Sequence, residues 1–145
     1  MVVFESLTYK DKEVAVHADL TDEGQTIYFP EIETTATDTA SGTHYAKPEK
    51  ELTLTDLVEY KNLIPGKEYK LTGTLMDTET EKPFEVDGKA VTSETSFTPE
   101  EPNGSVELSF TFDASVLSGK TLVVFEILTY EDHEVAVHAD INDVN

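Results

Sequence analysis

The chain has 145 residues, enough for one domain of ordinary size with a real core and too few for two independent ones. Ten lysines stand against thirty acidic residues with no arginine, and the formal charge of −20 repels nucleic-acid phosphate and anionic membrane. There is no cysteine for a disulfide framework or a thiolate metal site, and no apolar run approaches the roughly 18–20 residues of a membrane span.

The absence of cysteine does not place the compartment, but outside a cell something other than disulfides must brace such a chain. The start lacks the basic region of a signal peptide, so any export signal or wall anchor is expected outside these residues.

Taken in chain order, the first element is VVFESLTYKDKEVAVHAD, residues 2–19, which reads as a strand, a charged turn and a second strand. ETTATDT follows as a strand ending at the turn ASGT, and ELTLTDLVEY is the next. NLIPG supplies a turn in which Pro65-Gly66 has type II chemistry, and KEYKLTGTLMD leads out of it. FEVDGKAVTSETSFTPE holds a hairpin about Asp87-Gly88, a strong two-residue turn signal, and SVELSFTFD follows the turn at PNG. Residues 123–140, VVFEILTYEDHEVAVHAD, then repeat the opening passage with three differences.

Threonine alternates with apolar residues throughout, the period of half-buried strands, and no stretch has a convincing helical period. Seven or more strands at this spacing predict an all-β, immunoglobulin-like β-sandwich. The repeat at each end, with nothing like it between, is the mark of a tandem array in shifted frame. Residues 1–30 read as the tail of one repeat and residues 31–145 as the next.

Several residues are candidates for chemistry. Alternation in EVAVHAD puts Val14, Val16 and Ala18 on one face and Ala15 and His17 on the other. His17 and its counterpart His138 are either satisfied strand histidines or bases. Glu5 and Glu126 each follow three large apolar residues. Each is either a desolvated carboxyl beside the core, with a raised pKa, or an edge glutamate facing solvent. The Asp-rich turns DLTDEG and DINDVN lack the spacing of a calcium loop, and the four histidines form no zinc motif. With no serine elbow and no phosphate loop, no turnover enzyme is expected and no cofactor or metal is implied.

The combination of ETTATD, DLVEYKNLIPGKEY, GTLMD, a VVFE strand and HAD-x-x-D-x-x-Q-T resembles the VaFE repeat, the Thr–Gln ester-bond domain of Gram-positive surface adhesins. The resemblance covers nearly the whole chain, with its motifs in order. It implies a stalk module of a fibrous, cell-wall-anchored extracellular adhesin, in which a first-strand threonine joins a last-strand glutamine with release of ammonia. Carried over, the nucleophile is Thr34, or Thr35 if the register slips by one. The acyl donor is Gln25, eight residues after the histidine of HAD, and the helpers are Asp56, Glu126 or Glu5, and His138 or His17.

Those residue types suit the chemistry. Histidine can take a threonine proton near neutral pH, and a protonated buried carboxyl can donate to an oxyanion. Fixed positioning supplies roughly 7–11 kcal/mol of the barrier, and exclusion of water protects the ester.

Gln25 is the only glutamine, and the position matching it in the second repeat is 146, one beyond Asn145. A tight hairpin bringing Gln25 to Thr34 of the same chain would need positive φ at Pro30, and a parallel crossover would need a dozen or more residues where eight are present. Residues 1–30 are therefore expected to act as a donor arm in trans, by strand addition to other copies of the chain, giving an open polymer or a closed ring. Neighbouring repeats of the parent adhesin are the other expected partners; nucleic acid and membrane are not. The competing reading is a ligand- or calcium-binding adhesin domain without a formed crosslink.

Overall fold

The alternating pattern is realised as twelve strands, and a three-residue 3-10 turn at Glu23–Gln25 is the single helical element among the described residues. The structure, a computed structural model, describes residues 1–144. The strands are β1 (Glu5–Tyr9), β2 (Lys12–His17), β3 (Glu31–Asp38), β4 (Leu52–Lys61), β5 (Tyr69–Asp77), β6 (Lys82–Pro83), β7 (Glu85–Val86), β8 (Lys89–Ala90), β9 (Thr92–Phe97), β10 (Gly104–Phe112), β11 (Leu122–Tyr130) and β12 (His133–His138).

Residues 31–144 form the expected sandwich. One sheet has the order β10-β4-β3; the other runs β12-β11-β5, with β9 and the short β6 both on the far edge of β5, and every pairing is antiparallel. Inward rows of the two sheets meet in a core that includes Val58, Leu71, Leu75, Leu108, Phe110 and Leu128. β9 lies beside β10 on one flank and β12 beside β3 on the other. The second flank carries the site described below.

Turn chemistry explains the connections. Gly66 has φ +77, as a type II turn requires after Pro65, and Asp87 and Gly88 both have positive φ, the mirror-image turn that matches strand twist. Both copies of the repeated hairpin turn in the same way, on Lys10-Asp11 and Glu131-Asp132.

Alternation fails at one place in the repeat. Val135 and Ala136 are adjacent, yet both pack on the core, whereas Val137 is half exposed. Pairing slips between Leu128 and Thr129, so the bulged Val135 faces the side that strict alternation gives to Ala136. The same slip occurs in β1 and β2, between Leu7 and Thr8.

Gly73, opposite Glu126 on β5, faces the other sheet at close range. A Cβ there would lie 2.7 Å from Phe110 Cζ and 2.8 Å from Leu108 Cδ1. Gly73→Ala should therefore overpack the core and cost about 1–3 kcal/mol, read as a lowered denaturant midpoint at unchanged slope.

Residues 1–30 are built differently. Among the described residues β1 and β2 pair only with each other, and both are exposed along their whole length, including Leu7, Tyr9, Val14 and Val16. In the second copy the equivalent strands are sealed by β5 and the opposite sheet; here those partners are missing. After the 3-10 turn the chain doubles back, and Thr26 bridges Val2 in antiparallel fashion. Phe29 accepts a hydrogen bond through its carbonyl from Asn62 Nδ2 at 3.2 Å, and β3 begins two residues later.

Candidate functional site

On β3 the burial pattern alternates strictly from Glu31 to Thr35, so Ile32 and Thr34 face inward and Thr35 faces solvent. The threonine of this pair that lies inside the sandwich is Thr34, 8 % exposed. On β4, Asp56 occupies the inward row beside it, with Ala36 opposite Asp56 and Thr34 opposite Val58. Glu126 faces inward from the centre of β11, opposite His138 on β12. Asp56 and Glu126 are both 0 % exposed.

The Asp56 and Glu126 carboxyls interact directly, and the Thr34 hydroxyl lies against Glu126. As two carboxylates they would be acceptors facing acceptors, and none of their four oxygens would have a hydrogen-bond partner. The pair is satisfied when one member keeps a proton and donates it to the other. Burial pushes Glu126 up to about 10, with Asp56 adding to the shift, so Glu126 is the member that holds the proton at neutral pH. Burial raises Asp56 as well, opposed by the hydrogen bond from Glu126 and by His138.

His138 closes the outer side of the cluster. Its Nε2 lies 2.5 Å from Oδ2 of Asp143, a residue in the turn that follows β12. In the arm, His17 Nε2 meets Asp22 Oδ2 in the same way, five residues on. Asp143 and Asp22 were not among the expected site residues, although the aspartate stands in the HAD-x-x-D motif of both copies. The signal was its return at the same offset from each histidine.

The structure thus brings Thr34, Asp56, Glu126 and His138 together and leaves the other three expected residues elsewhere. Glu5 and His17 are exposed on the arm, and Gln25 ends its 3-10 turn, half-buried against residues 1–3. No hydrogen bond joins Gln25 to Thr34 among the described residues. From Thr34 a groove of about 790 Å³ runs between β3 and the first residues of β11, with Ala36, Leu54, Phe112, Leu122 and Val124 among its walls. No three His, Cys, Asp or Glu side chains among the described residues converge as a metal site would require.

Fold and site together define an immunoglobulin-like β-sandwich module with a threonine hydroxyl sealed beside a proton-holding carboxyl pair. The chain belongs to the T-Q ester bond containing domain family, whose model matches residues 1–29 and again residues 30–145. Among solved structures it is similar to a bacterial adhesin from Mobiluncus mulieris containing intramolecular disulfide, isopeptide and ester bond cross-links. The TM-score is 0.65 at 18 % identity, over 79 % of this chain and 54 % of that one. A second crystal form of that adhesin gives 0.60 at 17 %, with the same coverage. The present chain spans about half of the adhesin chain, and at this identity the likeness is one of fold. No match is found among curated proteins.

Proposed function

We propose that the chain is a structural module of a bacterial surface adhesin that makes one autocatalytic ester crosslink, between Thr34 of one copy and Gln25 of another. The observation that carries this reading is the Thr34 hydroxyl lying against the buried Glu126–Asp56 pair at the head of a groove, with His138 opposite Glu126 on the neighbouring strand. The likeness to the M. mulieris adhesin, which contains ester bond cross-links, supports a surface location for the module.

The step balances as follows. Thr34 Oγ1 gives its proton to His138 and bonds to the side-chain carbonyl carbon of Gln25. Charge gathers on the amide oxygen, where the Glu126 carboxyl can donate a hydrogen bond. The carbon–nitrogen bond then breaks, His138 returns the proton to the leaving nitrogen, and ammonia departs. Nothing is regenerated for a second round, so each site reacts once. Intact mass and denaturing gel migration of the purified chain test the reading: linked species each lighter by one ammonia support it, and unmodified monomer alone refutes it.

Asp143 acts as a positioning residue in this scheme. With Nε2–H donated to Asp143, Nδ1 is the nitrogen left free to take the threonine proton, and the carboxylate steadies the imidazolium that results. Asp143→Asn keeps an acceptor in place but removes the charge. Linking should slow by at least about tenfold with no change in the melting temperature of the Thr34→Ala background, and Asp143→Glu, which keeps the charge, should recover part of the rate. A loss of rate that Asp143→Glu does not reverse, or one that tracks a lowered melting temperature, would make Asp143 merely structural.

A further inference from the structure

The arm contains a finished copy of a strand pairing that the sandwich leaves open. In β11 the pairing with β12 begins only at Glu126, and on that side Leu122–Val124 has no partner strand among the described residues. The matching residues of the arm, Met1–Val3, do have one. The Val3 N–H donates to the Gln25 carbonyl at 3.0 Å, and the Ile27 N–H donates to the Met1 carbonyl at 2.8 Å. Val2, Phe4 and Glu5 are identical to Val123, Phe125 and Glu126, and Glu5 pairs with His17 as Glu126 pairs with His138. The parity is therefore shared: residues 1, 3 and 5 turn their backbone groups to one side, as do 122, 124 and 126.

We infer that Leu122–Val124 is a docking edge for Gln25–Ile27 of a second copy, in the register seen in the arm, and that Met1–Val3 is a built-in competitor for the same segment. In that register Thr26 stands opposite Val123, the Val124 N–H donates to the Gln25 carbonyl, and the Leu122 carbonyl accepts from Ile27. Strand alternation then decides the side chains. If Gln25 turns toward Thr34, Ile27 and Phe29 turn the same way, into a groove walled by Leu54, Phe112 and Leu122. Both are exposed in the arm, at 52 % and 64 %. The same segment is thus poorly buried where it rests and complementary to the groove it would fill. Its own Met1–Val3 strand holds it back until the pairing opens, which makes linking a strand exchange.

The inference rests on the proposed crosslink for its purpose, but its test does not need the ester. The probe is a synthetic peptide of residues 20–29, LTDEGQTIYF, added to the full chain carrying Thr34→Ala, which has no nucleophile. Peptide at saturation should slow amide exchange at Val124 by tenfold or more; unchanged exchange there overturns the docking edge, whatever the wild-type chain does. In the wild-type background, Val3→Pro removes the N–H that holds the Gln25 carbonyl and should speed formation of linked species several-fold. An unchanged or slower rate overturns the competitor role. Linked wild-type species in which the Val124 amide stays unprotected would keep the crosslink and refute this register.

Discussion

Thr34→Ala and Gln25→Ala should each abolish SDS-resistant species from a preparation in which the parent chain forms them. Thr34 is the one threonine hydroxyl of ETTATD that lies against the Glu126–Asp56 pair, and Thr35 on the next position faces solvent. Gln25 is the only glutamine in the chain, so no other side-chain amide of that type can substitute for it. Thr34→Ser keeps a hydroxyl and should retain part of the reaction; the missing methyl leaves the oxygen less firmly held by packing. Linked species should lose the mass of one ammonia per link and should be cleaved by hydroxylamine or raised pH, where an isopeptide would survive. Crosslinks that persist in Thr34→Ala would mean that another group is the nucleophile, and crosslinks that resist hydroxylamine would mean that the bond is not an ester.

A second large effect should appear in the dependence of stability on pH. Glu126 keeps its proton to about 10 in the folded chain and loses it near the ordinary value of 4.5 when unfolded. Across that window the folded state binds more protons, so stability is full below about 4.5 and falls as pH rises toward about 10. The slope contributed by one such group is at most about 1.4 kcal/mol per pH unit. For a domain of this size that is roughly 3–6 °C in Tm per unit. Asp56, raised by the same burial, adds in the same direction. Asp77 behaves oppositely: its hydrogen bond from Lys120 holds its pKa below 3.8, so its contribution is present above that value and lost as pH falls. Greatest stability is therefore expected in mildly acidic solution, near pH 4–5 by these opposing windows. Thermal melts of Thr34→Ala, in which no ester contributes, should show Tm falling from pH 5 to 9. Adding Glu126→Gln, which keeps the shape and a donor but cannot ionise, should flatten that fall. A Tm that rises over this range in the Glu126 form would refute a proton-holding glutamate.

How much of this was legible beforehand differs element by element. The strands of the sandwich could be read because each buries one face, which writes a period of two into LTLTDLVEY and SVELSFTFD. Asp87-Gly88 and Pro65-Gly66 could be read because positive φ is cheap for few residues. The bulge at Leu128/Thr129 could not, since it depends on how β12 must bend to keep both Val135 and Ala136 on the core. Glu5 and Glu126 sit in the same VVFE motif, and no local pattern separates them.

What separates them is what each strand packs against. Glu126 lies between β5 and β12 under the opposite sheet, so water is excluded and its proton is retained; among the described residues Glu5 has only β2 as a strand neighbour, and it is exposed. Likewise, ETTATD contains two adjacent threonines, and the pairing of β3 with β4 turns Thr34 to the inside and Thr35 to the outside. Composition, turn residues and the repeated motif thus carry the strand order, the kind of fold and the residue types of the site, because each is an expression of local backbone preference and one-sided burial. Which copy of each motif forms the site, and which carboxyl is protonated, follow from dielectric and contact. Those are set by strands distant in the chain, and no short stretch of residues encodes them.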